Sequence, residues 1–223
     1  MVPIQKQKVV IIGHGSTSRL SLVRAVAELG CDITVIVMSW FYPFTRKINK
    51  IKPFDCYSKY ISHVYYCPAA DGDGLIQLLL SKCTAAEQKV IIIPSSDFSA
   101  ATIDDNKSRL SEYFLFPSIK THSRSVRYWM DKERQKDLAR EIGLQVPAAR
   151  IVEIQDRTYE IPEGITYPCF TKALVTLVGG KQCFNRCNDQ DELCKALNVI
   201  GAKQDATILI EDFKDIEAEY AVL

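Results

Sequence analysis

The feature that most constrains the fold lies in residues 8–38, where an apolar run, a glycine turn, a helical stripe and a second apolar run follow one another. Val9, Val10, Ile11 and Ile12 are continuous rather than alternating, the pattern of a strand covered on both faces in a parallel sheet. Gly13 and Gly15 flank His14 in the turn, and Ser16, Thr17 and Ser18 are candidate caps for a helix. Leu22, Val26 and Leu29, with Val23 and Ala27 beside them, make one apolar face, and Gly30 stops the helix just past its last turn. Residues 33–38 form the second strand. A strand–helix–strand unit of this kind pairs its strands in parallel through a right-handed crossover.

The same rhythm continues. Residues 60–66 and 89–93 read as strands and 73–83 as a helix, while Pro94, Ser95, Ser96 and Asp97 end a strand and cap the next helix. Residues 41–58 and 113–123 lack periodicity and read as loops or short pieces. A second section begins near residue 124. Its helix over 131–142 has Asp131 as N-cap and Gly143 beyond its last turn. Strands follow at about 148–153, 167–175 and 206–210, with a tight turn at Gly179, Gly180 and Lys181 and a helix from Asn188 to Leu197 capped by Asn188. The fold class expected is therefore α/β: a Rossmann-like parallel sheet domain over 1–123, then an α+β section over 124–223.

Charge and cysteine usage narrow the function. The net charge is +1, and neither half of the chain carries the one-signed excess that a phosphate backbone or an anionic membrane demands, so nucleic acid and membrane partners are not expected. No apolar stretch approaches the roughly 20 residues of a membrane span. The eight cysteines read as free thiols in a reducing cytoplasm. Cys183, Cys187 and Cys194 lack both the spacing and the nearby histidine of a zinc site, so no metal is assigned to them.

Gly13 and Gly15 give part of a dinucleotide fingerprint, but Ser18 stands where a third glycine would sit, and the second strand ends in Ser39 and Trp40 rather than an acid. The better reading of Gly13, His14, Gly15 and Ser16 is a substrate-side loop, in which a helix N-terminus offers N–H groups to an anion. The second section presents an ordered set: Lys132 at a helix start, Lys172 on a strand, Gly179 and Gly180 in a turn, Glu211 at a strand end and Glu219 beyond it. Two lysines can neutralise phosphate oxygens. A glycine loop can lay backbone N–H groups over phosphates. A strand end can pair with a purine edge, and a carboxylate can accept a ribose hydroxyl.

In that order these motifs resemble the ATP-grasp ligases. Met130 to Pro147 is similar to the family's Asp-Lys helix running to Gly-x-x-x-Pro, and Tyr167 to Lys172 to its Pro-x-x-x-Lys strand. Val178 to Lys181 resembles the phosphate-covering loop, Asp191 to Leu193 the usual helix start, and Ile208 to Tyr220 the adenine hinge and ribose carboxylate. Pro94 to Phe98 and Tyr113 to Pro117 resemble the carbamoyl-phosphate-synthase-like and D-aspartate-ligase-like branch. Ala173 replaces the family's proline, and Leu177 and Val178 make the loop less glycine-rich.

The resemblance implies a pre-ATP-grasp domain followed by the first part of an ATP-grasp domain. It implies a carboxylate–amine ligase that phosphorylates a small carboxylate substrate with ATP and lets an amine attack the acyl phosphate, an amino acid being the expected substrate class. Lys132 and Lys172 are expected on the phosphates, with Gly179, Gly180 and Lys181 over them. Glu211 and the Phe213 backbone are expected on adenine, and Glu219 on the ribose. Magnesium ligands are expected beyond Leu223. These residues alone are thus expected to be an inactive front portion, and an open strand edge makes a homodimer an expected corollary. The rival classes are a Rossmann-type dinucleotide or nucleotide-sugar enzyme and a non-catalytic nucleotide-binding module.

Overall fold

A computed structural model describes residues 6–14, 16–39, 53–118, 125–175, 183–215 and 218. The chain divides into two compact units, Met1–Val126 and Arg127–Leu223. The first is an α/β unit of five parallel strands: β1 (Lys8–Gly13), β2 (Asp32–Ser39), β3 (Ile61–Pro68), β4 (Val90–Pro94) and β5 (Phe114–Leu115). Their order in the sheet is β3-β2-β1-β4-β5, and every pairing is parallel. Helices α1 (Thr17–Glu28), α2 (Gly72–Lys82) and α3 (Asp97–Asp105) connect the strands.

The continuous apolar runs have a direct physical cause. Successive side chains of a strand point to opposite faces, and here both faces are covered. Val10 and Ile12 of β1 join Ile36 and Met38 of β2 and Leu75, Ile76 and Leu79 of α2 in one core cluster. Val9 and Ile11 join Ile33, Val35 and Val37 of β2 and Val23 and Val26 of α1 in another. Each such buried aliphatic side chain contributes about 1.5–3 kcal/mol, so a polar residue at either parity is costly.

Helix starts follow the local chemistry. The Ser16 hydroxyl accepts from the Arg19 N–H, and the Asp71 carboxylate from the Gly74 N–H. Ser96 and Ser99 each cap the other's backbone. The order of strands turns over between β1 and β4, and the chain ends of these two strands meet there: Ser95 donates both its N–H and its hydroxyl to the Ile12 carbonyl.

The second unit is an antiparallel sheet in the order β6-β9-β7-β8, built from β6 (Ala149–Ile154), β7 (Cys169–Ala173), β8 (Asn185–Cys187) and β9 (Ala206–Asp212). Helix α4 (Lys132–Glu141) precedes it, and α5 (Gln190–Gly201) covers one face through Leu193, Leu197 and Ile200, packed on Val152, Ile154, Ile208 and Ile210. Asp131 caps α4 by accepting from the N–H groups of Glu133 and Arg134, and Gly143 follows with φ +82°, where a side chain would be strained.

Three expectations are corrected here. The cap of α5 is Asp189, not Asn188: Asn188 spends its own N–H and side-chain amide on the Glu192 carboxylate, while Asp189 accepts from the Glu192 N–H. That helix also runs past Leu197 to Gly201. The strand ending in the hinge continues through Glu211 to Asp212, because β7 and β6 flank it on both sides. Strand β8 was not anticipated; three residues are too few to show a period.

The β1–β4 junction yields a test. A Cβ on Gly13 would overlap the Ser95 hydroxyl oxygen, whereas the next atoms, the Ser95 backbone carbon and Cβ, lie at 3.3 and 3.4 Å. Gly13→Ala should therefore lower stability by about 1–3 kcal/mol in urea unfolding. Adding Ser95→Ala should recover most of that loss. An unchanged deficit in the double variant would show that the backbone, not the hydroxyl, sets the limit.

Candidate nucleotide-binding face

The face of the second sheet opposite α5 is set by strand alternation. In β7, Cys169 and Ala173 belong to the core shared with α5, which sends Phe170 and Lys172 to the other side. In β9, Ile208 and Ile210 belong to that core, which sends Leu209 and Glu211 to the other side. Phe170 pairs with Glu211 and Lys172 with Leu209, so Lys172 and Glu211 are diagonal neighbours across the strands.

Glu211 is held by two ammonium groups. Lys172 Nζ lies 2.6 Å from Oε2, and Lys136 Nζ, from α4, donates to Oε1 at 2.8 Å. Glu211 and Lys136 are buried, while the Lys172 side chain keeps 23% of its surface. Burial alone would push the Glu211 carboxyl up, but hydrogen bonds and attraction from Lys136 and Lys172 outweigh it and hold its pKa below the usual carboxylate value. One anion between two cations leaves a surplus positive charge, and the more open end of the cluster is Lys172.

Lys132 sits one helical turn before Lys136. Its Nζ donates to the Ala173 carbonyl at 2.8 Å and its N–H to the Leu174 carbonyl, so the start of α4 is stitched to the end of β7. The Phe213 N–H donates to the Pro168 carbonyl at 3.0 Å, and the Arg186 guanidinium lies 4.3 Å over the Phe213 ring. Phe170 packs near Phe184 with ring centroids 5.9 Å apart. The structure thus brings Lys172 and Glu211 into contact, sets Lys132 against the end of β7 and places Phe213 just past the end of β9. Gly179, Gly180, Lys181 and Glu219 lie outside the described residues. Sequence reasoning missed Lys136 and Arg186. The signal for Lys136 was its i,i+4 spacing from Lys132, which puts both on one helix face.

The first unit's loop has a different character. Gly13 ends β1, His14 Nδ1 lies 2.8 Å from the Met38 carbonyl, and Ser16 caps α1; Gly15 lies outside the described residues. Fully buried Arg19 donates Nε to Asp55 Oδ2 at 2.6 Å, Nη1 to the Gly13 carbonyl at 2.7 Å and Nη2 to Cys56 Sγ at 3.4 Å. The Ser16 N–H also reaches Asp55 Oδ2, at 3.5 Å. The carboxylate that meets this helix N-terminus is therefore the protein's own. Neither Arg19 nor Asp55 was singled out from sequence, since Arg19 falls in an ordinary helix and Asp55 in an aperiodic stretch.

Among the described residues no group of three or more His, Cys, Asp or Glu side chains could hold a metal ion, and Glu211 faces two ammonium groups, a poor setting for a cation. All eight cysteines are free. Among the described residues no helix is long and apolar enough to cross a membrane.

No family model and no curated protein matches the chain. Solved structures do. An L-amino acid ligase from Bacillus licheniformis aligns with a TM-score of 0.62 at 13% identity, over 94% of this chain and 47% of that one. The ADP complex of purK, an N5-carboxyaminoimidazole ribonucleotide synthetase, aligns at 0.61 and 16%, over 96% and 49%. The N5-carboxyaminoimidazole synthetase from Staphylococcus aureus, complexed with ADP, aligns at 0.60 and 15%, also over 96% and 49%. These are ATP-grasp ligases, and the chain has the fold of the part that it covers, as the motif resemblance implied. It spans about half the length of each.

The lysine-bound carboxylate gives a pH test. Because the folded-state pKa of Glu211 is depressed, the stability it contributes is present above its unfolded value, about 4.3, and is lost as pH falls through the folded value. Glu211→Gln should cost about 3 kcal/mol near neutral pH, since it leaves two ammonium groups without their anion. In urea unfolding the gap between variant and parent should close as pH drops below about 4. A gap independent of pH would mean that shape, not charge, makes the contribution.

Proposed function

We propose that this chain captures ATP on the sheet face bearing Lys172 and Glu211, and serves a carboxylate–amine ligase that works through an acyl phosphate. The observation that carries this reading is the pair of ammonium groups on one carboxylate, which leaves surplus positive charge at the partly open Lys172 beside aromatic side chains. A triphosphate needs the charge, and a purine needs the rings. The shared fold supports the class, and two of the aligned structures were solved with ADP.

In this reading Lys132 and Lys172 neutralise phosphate oxygens, and Gly179, Gly180 and Lys181 close over them. Glu211 and the Phe213 backbone address adenine, and Glu219 takes the ribose. Since the Phe213 N–H is already spent on Pro168, the adenine contact falls to its carbonyl. Gly13, His14, Gly15 and Ser16 of the section over 1–123 are the proposed substrate-side loop, with the acid held beside it rather than at the α1 N-terminus that Asp55 already meets, and residues 124–223 form the nucleotide section. The eight free thiols suit a reducing, cytoplasmic setting. Magnesium supplies charge neutralisation in phosphoryl transfer of this kind, but the described residues do not fit it, so the steps assigned to this chain are capture and orientation of the nucleotide.

A dinucleotide enzyme is the competing reading, favoured by the doubly wound order of the first sheet. Asp55 weighs against it, because a carboxylate already lies at the α1 N-terminus, where a pyrophosphate would have to dock. Calorimetry with ATP and NAD in parallel separates the two: ATP and ADP should bind and NAD should not. Tight NAD binding with no response to ATP overturns the proposal. Lys172→Ala should weaken ATP binding by about 1.5–3 kcal/mol, the scale of a charged hydrogen bond. Its unfolding midpoint should move little, because Glu211 keeps Lys136 as its partner. A large stability loss with unchanged ATP affinity would make Lys172 structural.

A further inference from the structure

We infer that Lys136 is a positioning residue for the nucleotide site: by taking one oxygen of Glu211, it keeps the cluster cationic so that Lys172 can serve a phosphate. This rests on the ATP-binding reading above. Lys136 is the buried residue of α4, a helix that leaves Leu138 and the following Ile142 substantially exposed. A lysine in the place of an apolar anchor is expensive to bury and is retained only with a strong partner. That partner is Glu211 Oε1, at 2.8 Å, while Oε2 holds Lys172 at 2.6 Å. Each oxygen thus has its own ammonium group.

The charges then decide the outcome. With both lysines present, the cluster carries two positive charges and one negative. If Lys136 were absent, Glu211 and Lys172 would form a neutral pair, and this cluster would add no positive charge to what Lys132 offers an anion. Lys136 need not touch the ligand; it acts through Glu211. The same geometry gives Glu211 the task of aiming Lys172, beyond any contact it makes with adenine.

Four variants test this with inorganic tripolyphosphate and ATP as probes. Lys136→Gln keeps a donor near Oε1 but removes the charge, and should weaken both probes about tenfold, the scale of one charged contact. Lys136→Arg should behave as the parent. Glu211→Gln raises the cluster's charge and should bind tripolyphosphate more tightly than the parent. The double variant Lys136→Gln/Glu211→Gln restores the parent's net charge and should restore its affinity for tripolyphosphate. A side chain that merely tethers α4 predicts the opposite, a double variant no better than Lys136→Gln, and that result overturns the inference.

A readout without ligand guards against folding failure and separates this inference from the ATP reading. The carboxyl carbon shift of Glu211, followed through acid titration, should move toward the ordinary value in Lys136→Gln. If the parent binds neither probe, the ATP reading fails, while an unmoved titration rejects charge sharing by itself. Unfolding of both Lys136→Gln and Lys136→Met under conditions where the parent is stable would assign Lys136 to structure and overturn the proposal as well.

Discussion

The second unit is organised around a single desolvated carboxylate. Glu211 lies within β9, paired on both sides by other strands, and the face it points to receives α4. An isolated ionised carboxylate in that position would be costly enough to neutralise itself by taking up a proton. It stays ionised because Lys136 and Lys172 each take one oxygen. Those two contacts tie three elements together, α4, β7 and β9, and Lys132 adds a third stitch, from α4 to the end of β7. Helix docking here depends on ammonium groups where most helices use an apolar stripe.

That substitution explains what could be read in the sequence and what could not. The first unit was legible because its strands are buried on both faces: Val9 to Ile12 and Ile33 to Met38 have no polar parity to confuse. The cap at Asp131 was legible by itself, while those at Ser16 and Ser96 were narrowed only to Ser16, Thr17 or Ser18 and to the stretch Pro94 to Asp97, because several short polar side chains stand side by side there. Asn188 and Asp189 are both competent caps, and only the commitment of Asn188 to Glu192 decides between them. Lys136 was illegible for a deeper reason. Hydrophobic periodicity assigns lysine to the solvent face, and the i,i+4 spacing from Lys132 shows which helix face Lys136 shares but not that a carboxylate 75 positions away buries it.

Site residues divide along the same line. Lys132, Lys172 and Glu211 were singled out through the order of motifs; the fold puts Lys172 in contact with Glu211 on one side of the sheet and ties Lys132 to the end of β7. The Arg19–Asp55 pair was not found, although it is among the most buried polar features of the first unit. Arg19 lies in an ordinary amphipathic helix, and its partner sits beyond a strand and an aperiodic stretch. Pairs that span such distances are fixed by topology, and a sequence discloses them only after the topology is known.

The two units treat a comparable problem in opposite ways. Each presents a place where positive charge gathers: the N-terminus of α1 in the first, the lysines of α4 and β7 in the second. In the first, Asp55 is matched one-to-one by Arg19 and lies within reach of the Ser16 N–H, so the helix end meets an anion that belongs to the protein. In the second, one carboxylate serves two ammonium groups, and the excess stays uncompensated at the half-open Lys172. A ligand of several negative charges gains from the second arrangement, whereas the matched pair of the first leaves no excess charge to attract it. The doubly wound order of the first sheet would by itself suggest a dinucleotide, and counting which carboxylates are already shared instead favours the smaller antiparallel unit as the setting for an anion.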